Sequence, residues 1–223
     1  MILCLPDLIT EDERRQILEL IAEVEFDDGA RTVGTALASI KNNREITALN
    51  PSMERIKRLV HQALARHEVL QSAARPRTMA AVMINRYGPG MFYGAHVDAP
   101  IIGFPAQVRS DLSFTLFLAD PSAYDGGELV FEQGSGEQAF KLPARSVICY
   151  PTGQLHRVNM VTRGERLAVV GWLQSLVRDP LLRELLYDVA TARRLVRERL
   201  GPGPALDVLD RAQSGLLRRY AET

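Results

Sequence analysis

The sequence predicts a mainly β core with flanking helices, closed as a double-stranded β-helix or jelly roll, and three observations carry that expectation. From Met79 to Ser175 the chain breaks into about eight short segments with β-like patterning, the density of strands expected of a sandwich or barrel. Turn signals punctuate them at Gly88-Pro-Gly90, Asp125-Gly-Gly127, Gly134-Ser-Gly136 and Pro151-Thr-Gly153. Outside this stretch the apolar spacing changes from two to the three-to-four of helices. A jelly roll is the natural closed form for so many short strands, since it leaves few ladder edges unpaired.

The elements follow in order. Thr10-Glu-Asp-Glu13 reads as a capping box, with Thr10 as N-cap and Glu13 three positions on, and Ile17, Leu18, Leu20 and Ile21 continue a helix over residues 10–24. Residues 31–47 read as extended. Asn50 is expected to cap a second helix with Pro51 at its first position, running to about residue 70. His61 and His67 lie six apart on that helix, hence on different faces, and read as structural or surface histidines. Strands are expected over 79–87, 92–97, 111–119, 127–132, 138–142, 146–150, 155–160 and 166–175. Asp179-Pro180 opens a helix that ends near Gly201, Pro202-Gly-Pro204 breaks it, and a last helix covers about 205–222, giving a helical hairpin. The implied organisation is a catalytic domain over 1–175, with a helical part over 1–75 and the β core over about 78–175, followed by a helical extension over 176–223. The leucines at 181, 182, 185 and 186 suit packing on the domain or a homodimer interface.

Composition narrows the function classes. With 223 residues, 46% of them hydrophobic and 24% charged, the chain can bury a full core. Lys plus Arg and Asp plus Glu balance at 27 each, so charge offers no case for nucleic acid or an anionic membrane as partner. Cys4 and Cys149 form no framework, which fits a reducing compartment. The start lacks the basic region of a signal peptide, and no stretch approaches the ~20 apolar residues of a membrane span. The expected location is the cytoplasm.

The chemistry is concentrated in Tyr93-Gly-Ala-His-Val-Asp-Ala-Pro100. Side chains two apart on a strand share a face, so His96 and Asp98 aim an imidazole and a carboxylate at one point. His156, directly after the turn Tyr150-Pro-Thr-Gly-Gln154, would complete the 2-His-1-carboxylate triad of non-haem Fe(II) oxygenases. Ten residues on, Arg166 begins a strand whose alternation places it with Ala168, Val170, Trp172 and Gln174, opposite Leu167, Val169, Gly171 and Leu173. An inward arginine needs an anionic partner, and a carboxylate matches its guanidinium fork. The pattern leaves an outward Arg166 in a surface ion pair open. Zinc could also use two histidines and a carboxylate. No Gly-x-Ser-x-Gly elbow accompanies Ser113, Ser122, Ser135 or Ser146, and no phosphate-binding glycine loop occurs.

With these residues the chain resembles the PKHD-type hydroxylases, iron(II)- and 2-oxoglutarate-dependent dioxygenases related to prolyl 4-hydroxylases. The resemblance runs through Lys41-Asn-Asn43, Pro76-Arg77, Asn85-Arg-Tyr87, Tyr93 to Asp98, Thr115-Leu-Phe-Leu118, Tyr124-Asp-Gly-Gly-Glu-Leu129, Lys141-Leu-Pro143, Tyr150-Pro151, Val161-Thr-Arg-Gly164 and Gln174-Ser175. It implies that His96, Asp98 and His156 bind Fe(II) and that Arg166 binds the distal carboxylate of 2-oxoglutarate. It also implies cosubstrate-lining roles for Tyr87 and Trp172. Phe117 stands where some prolyl hydroxylases carry a tyrosine for that carboxylate, so Thr115, on the same strand face, is expected to assist Arg166. The implied reaction hydroxylates a small-molecule or protein substrate while 2-oxoglutarate and O2 become succinate and CO2, with ascorbate (vitamin C) as supporting reductant. A non-catalytic iron or 2-oxoglutarate sensor on the same scaffold is the alternative, and a zinc hydrolase a weaker one. The segment 99–110 is the expected lid over the site, or else a plain surface connection.

Overall fold

The computed structural model describes residues 1–47, 50–103 and 107–223. Strand β1 (Leu3–Leu5) leads into helix α1 (Glu11–Ala22), which opens on the expected capping box: Thr10 Oγ1 accepts from the Glu13 N–H at 3.1 Å, and Glu13 Oε2 accepts from the Thr10 N–H at 2.8 Å. Residues 31–47 depart from the extended expectation. Strand β2 (Asp27–Asp28) is followed by a 3-10 turn over Gly29–Thr32, a short helix α2 (Thr35–Ala38), and strands β3 (Lys41–Asn42) and β4 (Arg44–Ile46). Short polar-apolar alternation suits an edge strand or a single helical turn equally, and here packing chose both.

The second helix also differs. It is split into α3 (Ser52–Arg66) and α4 (Glu68–Ala74), and Asn50 caps by its side chain, Oδ1 accepting from the Ser52 N–H at 2.9 Å. His67 has an extended backbone at the junction, and its Nδ1 accepts from the Leu70 N–H at 3.5 Å, which restarts the helix.

The β region then runs through β5 (Pro76–Tyr87), β6 (Phe92–His96), β7 (Ile101–Ile102), β8 (Val108–Arg109), β9 (Leu112–Phe117), β10 (Tyr124–Gly126), β11 (Leu129–Gln133), β12 (Gly136–Phe140), β13 (Val147–Pro151), β14 (His156–Val158), β15 (Val161–Gly164) and β16 (Arg166–Ser175). All eight expected strands are present within a few residues. The small pairs β7–β8 and β10–β15 were not expected; the first lies inside the expected lid, of which residues 104–106 fall outside the described residues.

Two antiparallel sheets form the jelly-roll core. The larger has the order β1-β13-β9-β16-β5-β4-β2 and the smaller β12-β11-β14-β6-β3. Helices α1, α3 and α4 cover the outer face of the larger sheet, where Ile17, Ile21, Ile56 and Val60 meet Phe114, Leu116, Val169 and Leu173. The inner face meets the smaller sheet through Tyr87, Tyr93, Phe117, Phe131, Ile148 and Tyr150. Covered on both sides, β9 is buried at all six positions, and β16 is apolar on its outer face while its inner face carries function.

Helices α5 (Pro180–Leu200) and α6 (Pro204–Tyr220) form the expected hairpin, with α5 also against α4. Asp179 caps α5, accepting from the N–H groups of Leu181 and Leu182 at 2.8 and 3.1 Å. The leucine stripe divides: Leu186 is fully buried, whereas Leu181 and Leu185 are exposed. Among the described residues no helix is long and apolar enough to cross a membrane.

Candidate metal and cosubstrate site

The site lies between the sheets. Strands β6 and β14 are neighbours in the smaller sheet, and their register sets His96 directly opposite His156. Their imidazole centroids are 4.3 Å apart. Asp98 follows just past the end of β6. One ligand atom from each of His96, Asp98 and His156 lies within 4.8 Å of the others, a spacing that could hold one metal ion.

Hydrogen bonds fix which atoms face the centre. His96 Nδ1 sits 2.8 Å from Gly94 O, and His156 Nδ1 sits 2.8 Å from Gln154 O. A carbonyl only accepts, so each Nδ1 carries the proton and each Nε2 keeps a free lone pair. Asp98 is divided in the same way. Its Oδ2 accepts from the Ser113 hydroxyl at 2.6 Å and from Trp172 Nε1 at 3.0 Å. Its Oδ1 remains 3.6 Å from His96 Nε2 and 3.8 Å from His156 Nε2. Burial alone would raise the Asp98 carboxyl. The His96 and His156 rings, Ser113 and Trp172 outweigh it and bring it down to about 2, so the group is an anion. Burial lowers His156, which favours the neutral imidazole a metal needs.

The same three residues open onto a cavity of about 400 Å³ that also reaches Tyr87, Thr115, Tyr150, Arg166 and Trp172. Arg166 is among the largest fully buried side chains, 1% exposed, which settles the inward reading of its strand. Among the described residues it has no carboxylate within ion-pair distance, and its Nε is enclosed without a hydrogen-bond partner. Tyr87 lies directly across the ladder, and the guanidinium carbon is 5.3 Å from the Tyr87 ring and 5.4 Å from that of Phe117. A buried, unpaired guanidinium beside a cavity is unfavourable unless an anion enters, and a carboxylate fits the vacant donors.

Each sequence-identified residue thus reaches the site, with one change of detail. Trp172 lines the cavity, but its indole N–H is donated to Asp98 and is not free for a cosubstrate. Several neighbours were not identified from the sequence. Ser113, weighed there only as a nucleophile, orients Asp98. Tyr150 brings its hydroxyl 3.4 Å from His156 Nε2. Tyr124, fully buried, has a hydroxyl with no partner among the described residues, and its ring edge and the Arg166 stem both press on Gly127, where a Cβ would meet them at 3.0 and 3.1 Å. A signal for Tyr124 existed in its place before Asp-Gly-Gly-Glu. Lys41 and Glu45 line the same cavity; Lys41 stood in the Lys41-Asn-Asn43 motif with no role assigned, and Glu45 gave no signal.

Comparison with known proteins agrees with this geometry. Residues 82–174 match the 2OG-Fe(II) oxygenase superfamily. A PKHD-type hydroxylase of Synechococcus sp. (strain JA-3-3Ab) is 44% identical over 223 residues, all of both chains. Among solved structures, an oxidoreductase of the 2OG-Fe(II) oxygenase family from Burkholderia pseudomallei has a TM-score of 0.60 at 21% identity, covering 77% of this chain and 84% of that one. A Pseudomonas putida prolyl-4-hydroxylase has a TM-score of 0.53 at 20% identity, covering 78% and 92%. At those identities the two structures speak for the fold alone.

Proposed function

Since the chain belongs to the PKHD-type hydroxylases of the 2OG-Fe(II) oxygenase superfamily, and so is a 2-oxoglutarate-dependent dioxygenase, we propose that it hydroxylates a C–H bond of its substrate while 2-oxoglutarate and O2 are converted to succinate and CO2. The observation that carries this reading is the pairing of two incomplete groups in one cavity: a triad with three inward ligand atoms, and a buried arginine with no anionic partner among the described residues.

The donor set suits Fe(II) and 2-oxoglutarate. His96 Nε2, His156 Nε2 and Asp98 Oδ1 would hold the metal on one face and leave the other open. Arg166 would take the distal carboxylate, with Thr115 on the neighbouring strand, and the Tyr124 hydroxyl, without a partner among the described residues, would be a second donor. When bound, iron and 2-oxoglutarate together supply the oxidising power that activates O2 for C–H hydroxylation. The protein contributes position and dryness. Ser113 and Trp172 keep Asp98 single-toothed, the two backbone carbonyls keep both imidazoles in the Nε2-binding tautomer, and Tyr87, Phe117, Leu129 and Val158 wall the Arg166 end against water. The mouth is apolar, with Val33, Leu37, Val97 and Ile101 around it, and the cavity volume suits a small molecule or one side chain of a protein. Ascorbate is expected to sustain turnover.

The test is anaerobic reconstitution. Protein given Fe(II) and then 2-oxoglutarate should develop a visible charge-transfer band, and oxygen should then release succinate. Wild-type protein that forms no such band would overturn the reading. A substrate screen coupled to succinate release would identify the oxidised molecule.

A further inference from the structure

Lys41 and Glu45 form an ion pair in the wall of the cavity, Nζ to Oε1 2.6 Å, with side chains only 4% and 0% exposed. Two charges taken from water are stabilising only when further hydrogen bonds support them, and here Thr32 and Asn43 supply several. Glu45 accepts from the Thr32 hydroxyl at 2.7 Å and from the Asn43 amide at 3.1 Å, while Lys41 Nζ donates to Thr32 Oγ1 at 2.8 Å. An apolar pair of similar volume would pack the same space at least as favourably, so the retained charges point to a positional task.

Their place in the fold says which task. Lys41 is on β3, the edge of the smaller sheet, in register with Tyr93. Glu45 is on β4 of the larger sheet, in register with Asn85. The ion pair therefore ties the two sheets together at the side of the cavity. From that anchor Nζ lies 5.0 Å from the centroid of the Tyr93 ring, within cation–π range. The Tyr93 ring in turn stacks on the His96 imidazole, centroids 3.6 Å apart and planes 16° from parallel.

We propose that Lys41 is a positioning residue for His96, acting through Tyr93. The Nδ1 hydrogen bond to Gly94 fixes the tautomer of His96 but lets the ring tilt about that bond. Stacking on Tyr93 sets the plane, and a cation clamped by Glu45 and Thr32 holds the Tyr93 ring in place. The unbroken contact series Glu45, Lys41, Tyr93, His96 couples the larger sheet to a metal ligand on the smaller one. This gives the Lys41-Asn-Asn43 motif a role that metal and cosubstrate binding leave unexplained.

The inference rests on the metal site proposed above, and Co(II) titration separates the two. Wild-type protein that binds no Co(II) would defeat the metal reading and this inference with it. With wild-type binding intact, the double variant Lys41→Met/Glu45→Gln removes both charges without stranding either. Its Co(II) dissociation constant should rise about tenfold, with an altered d–d absorption band, as for other groups that orient a ligand. Tyr93→Leu should weaken Co(II) binding similarly, whereas Tyr93→Phe, which keeps the ring, should stay near wild type. In the Tyr93→Leu background the double substitution should add nothing, since the cation reaches His96 only through that ring. An unchanged dissociation constant in the folded double variant, or a full second loss in the Tyr93→Leu background, overturns the inference. Should the double variant fail to fold, equal Co(II) affinity in Tyr93→Leu and Tyr93→Phe overturns it alone.

Discussion

The indole N–H of Trp172 is donated to Oδ2 of Asp98 at 3.0 Å, joining the larger sheet to the carboxylate just past β6 across 74 residues of sequence. With the Ser113 hydroxyl on the same oxygen, it leaves Oδ1 as the atom facing both imidazoles. Trp172→Phe keeps an aromatic ring, though a smaller one, and removes the donor. Metal affinity, read by anaerobic titration, is expected to fall about tenfold with little change in melting temperature. An unaltered affinity would show that Ser113 alone holds the carboxylate.

Arg166→Met removes the buried cation and leaves the triad untouched. The dissociation constant for 2-oxoglutarate should rise by roughly a hundredfold, about 3 kcal/mol for a lost charge-assisted contact in a dry site. Metal binding in the absence of 2-oxoglutarate should be unchanged. Loss of metal binding in this variant would mean that Arg166 supports the fold and not the cosubstrate.

Tyr124→Phe tests the second unpartnered donor. If its hydroxyl bonds the same carboxylate, 2-oxoglutarate affinity should drop by about five- to tenfold, the 1–1.5 kcal/mol of one hydrogen bond. A neutral or stabilising change with unaltered affinity would assign the hydroxyl to packing instead.

Gly171 stands on the outer face of β16, where a Cβ would lie 2.5 Å from Phe114 Cζ and 2.8 Å from Ala81 O. Ala81 lies beside a bulge in the β5–β16 ladder, and its backbone oxygen has less freedom to yield than a side chain would. Gly171→Ala should therefore destabilise the protein by about 1–3 kcal/mol, seen as a lower denaturant midpoint at constant m-value. A wild-type midpoint would show that the helix-side core yields more easily than its packing suggests.

Metal binding should also be visible as stability. A ligand that binds only the folded state at a hundred times its dissociation constant adds about 2.7 kcal/mol. Adding Co(II) or Ni(II) to metal-free protein should raise the melting temperature, and a chelator should reverse it. The His156→Ala variant should show no such rise.

Much of the site was legible because its signals are local. His96 and Asp98 are two apart, and the alternation along Arg166 to Gln174 sorts the strand into two faces, of which only burial in the structure shows Arg166 to be on the inner one. The β strands were legible through their turns. The segment 31–47 was not, since pieces of two to four residues carry too little periodicity to distinguish a strand from a helical turn. The break at His67 was hidden for a related reason: an apolar face continues through it, and only the side-chain cap on Leu70 marks the restart.

By itself the sequence indicated the jelly-roll class, the helices at either end and the residues of the candidate triad, because turns, caps and alternation are local signals, while the burial of Arg166 was decided by the tertiary structure. Only the tertiary structure decided which partners hold those groups. Trp172 and Ser113 meet Asp98, Tyr124 and the Arg166 stem both crowd Gly127, and Lys41 meets Glu45 across the two sheets. Hydrogen bonds and stacking act over a few ångströms, so they follow spatial neighbours, and in a β sandwich those neighbours are set by how two sheets close on each other.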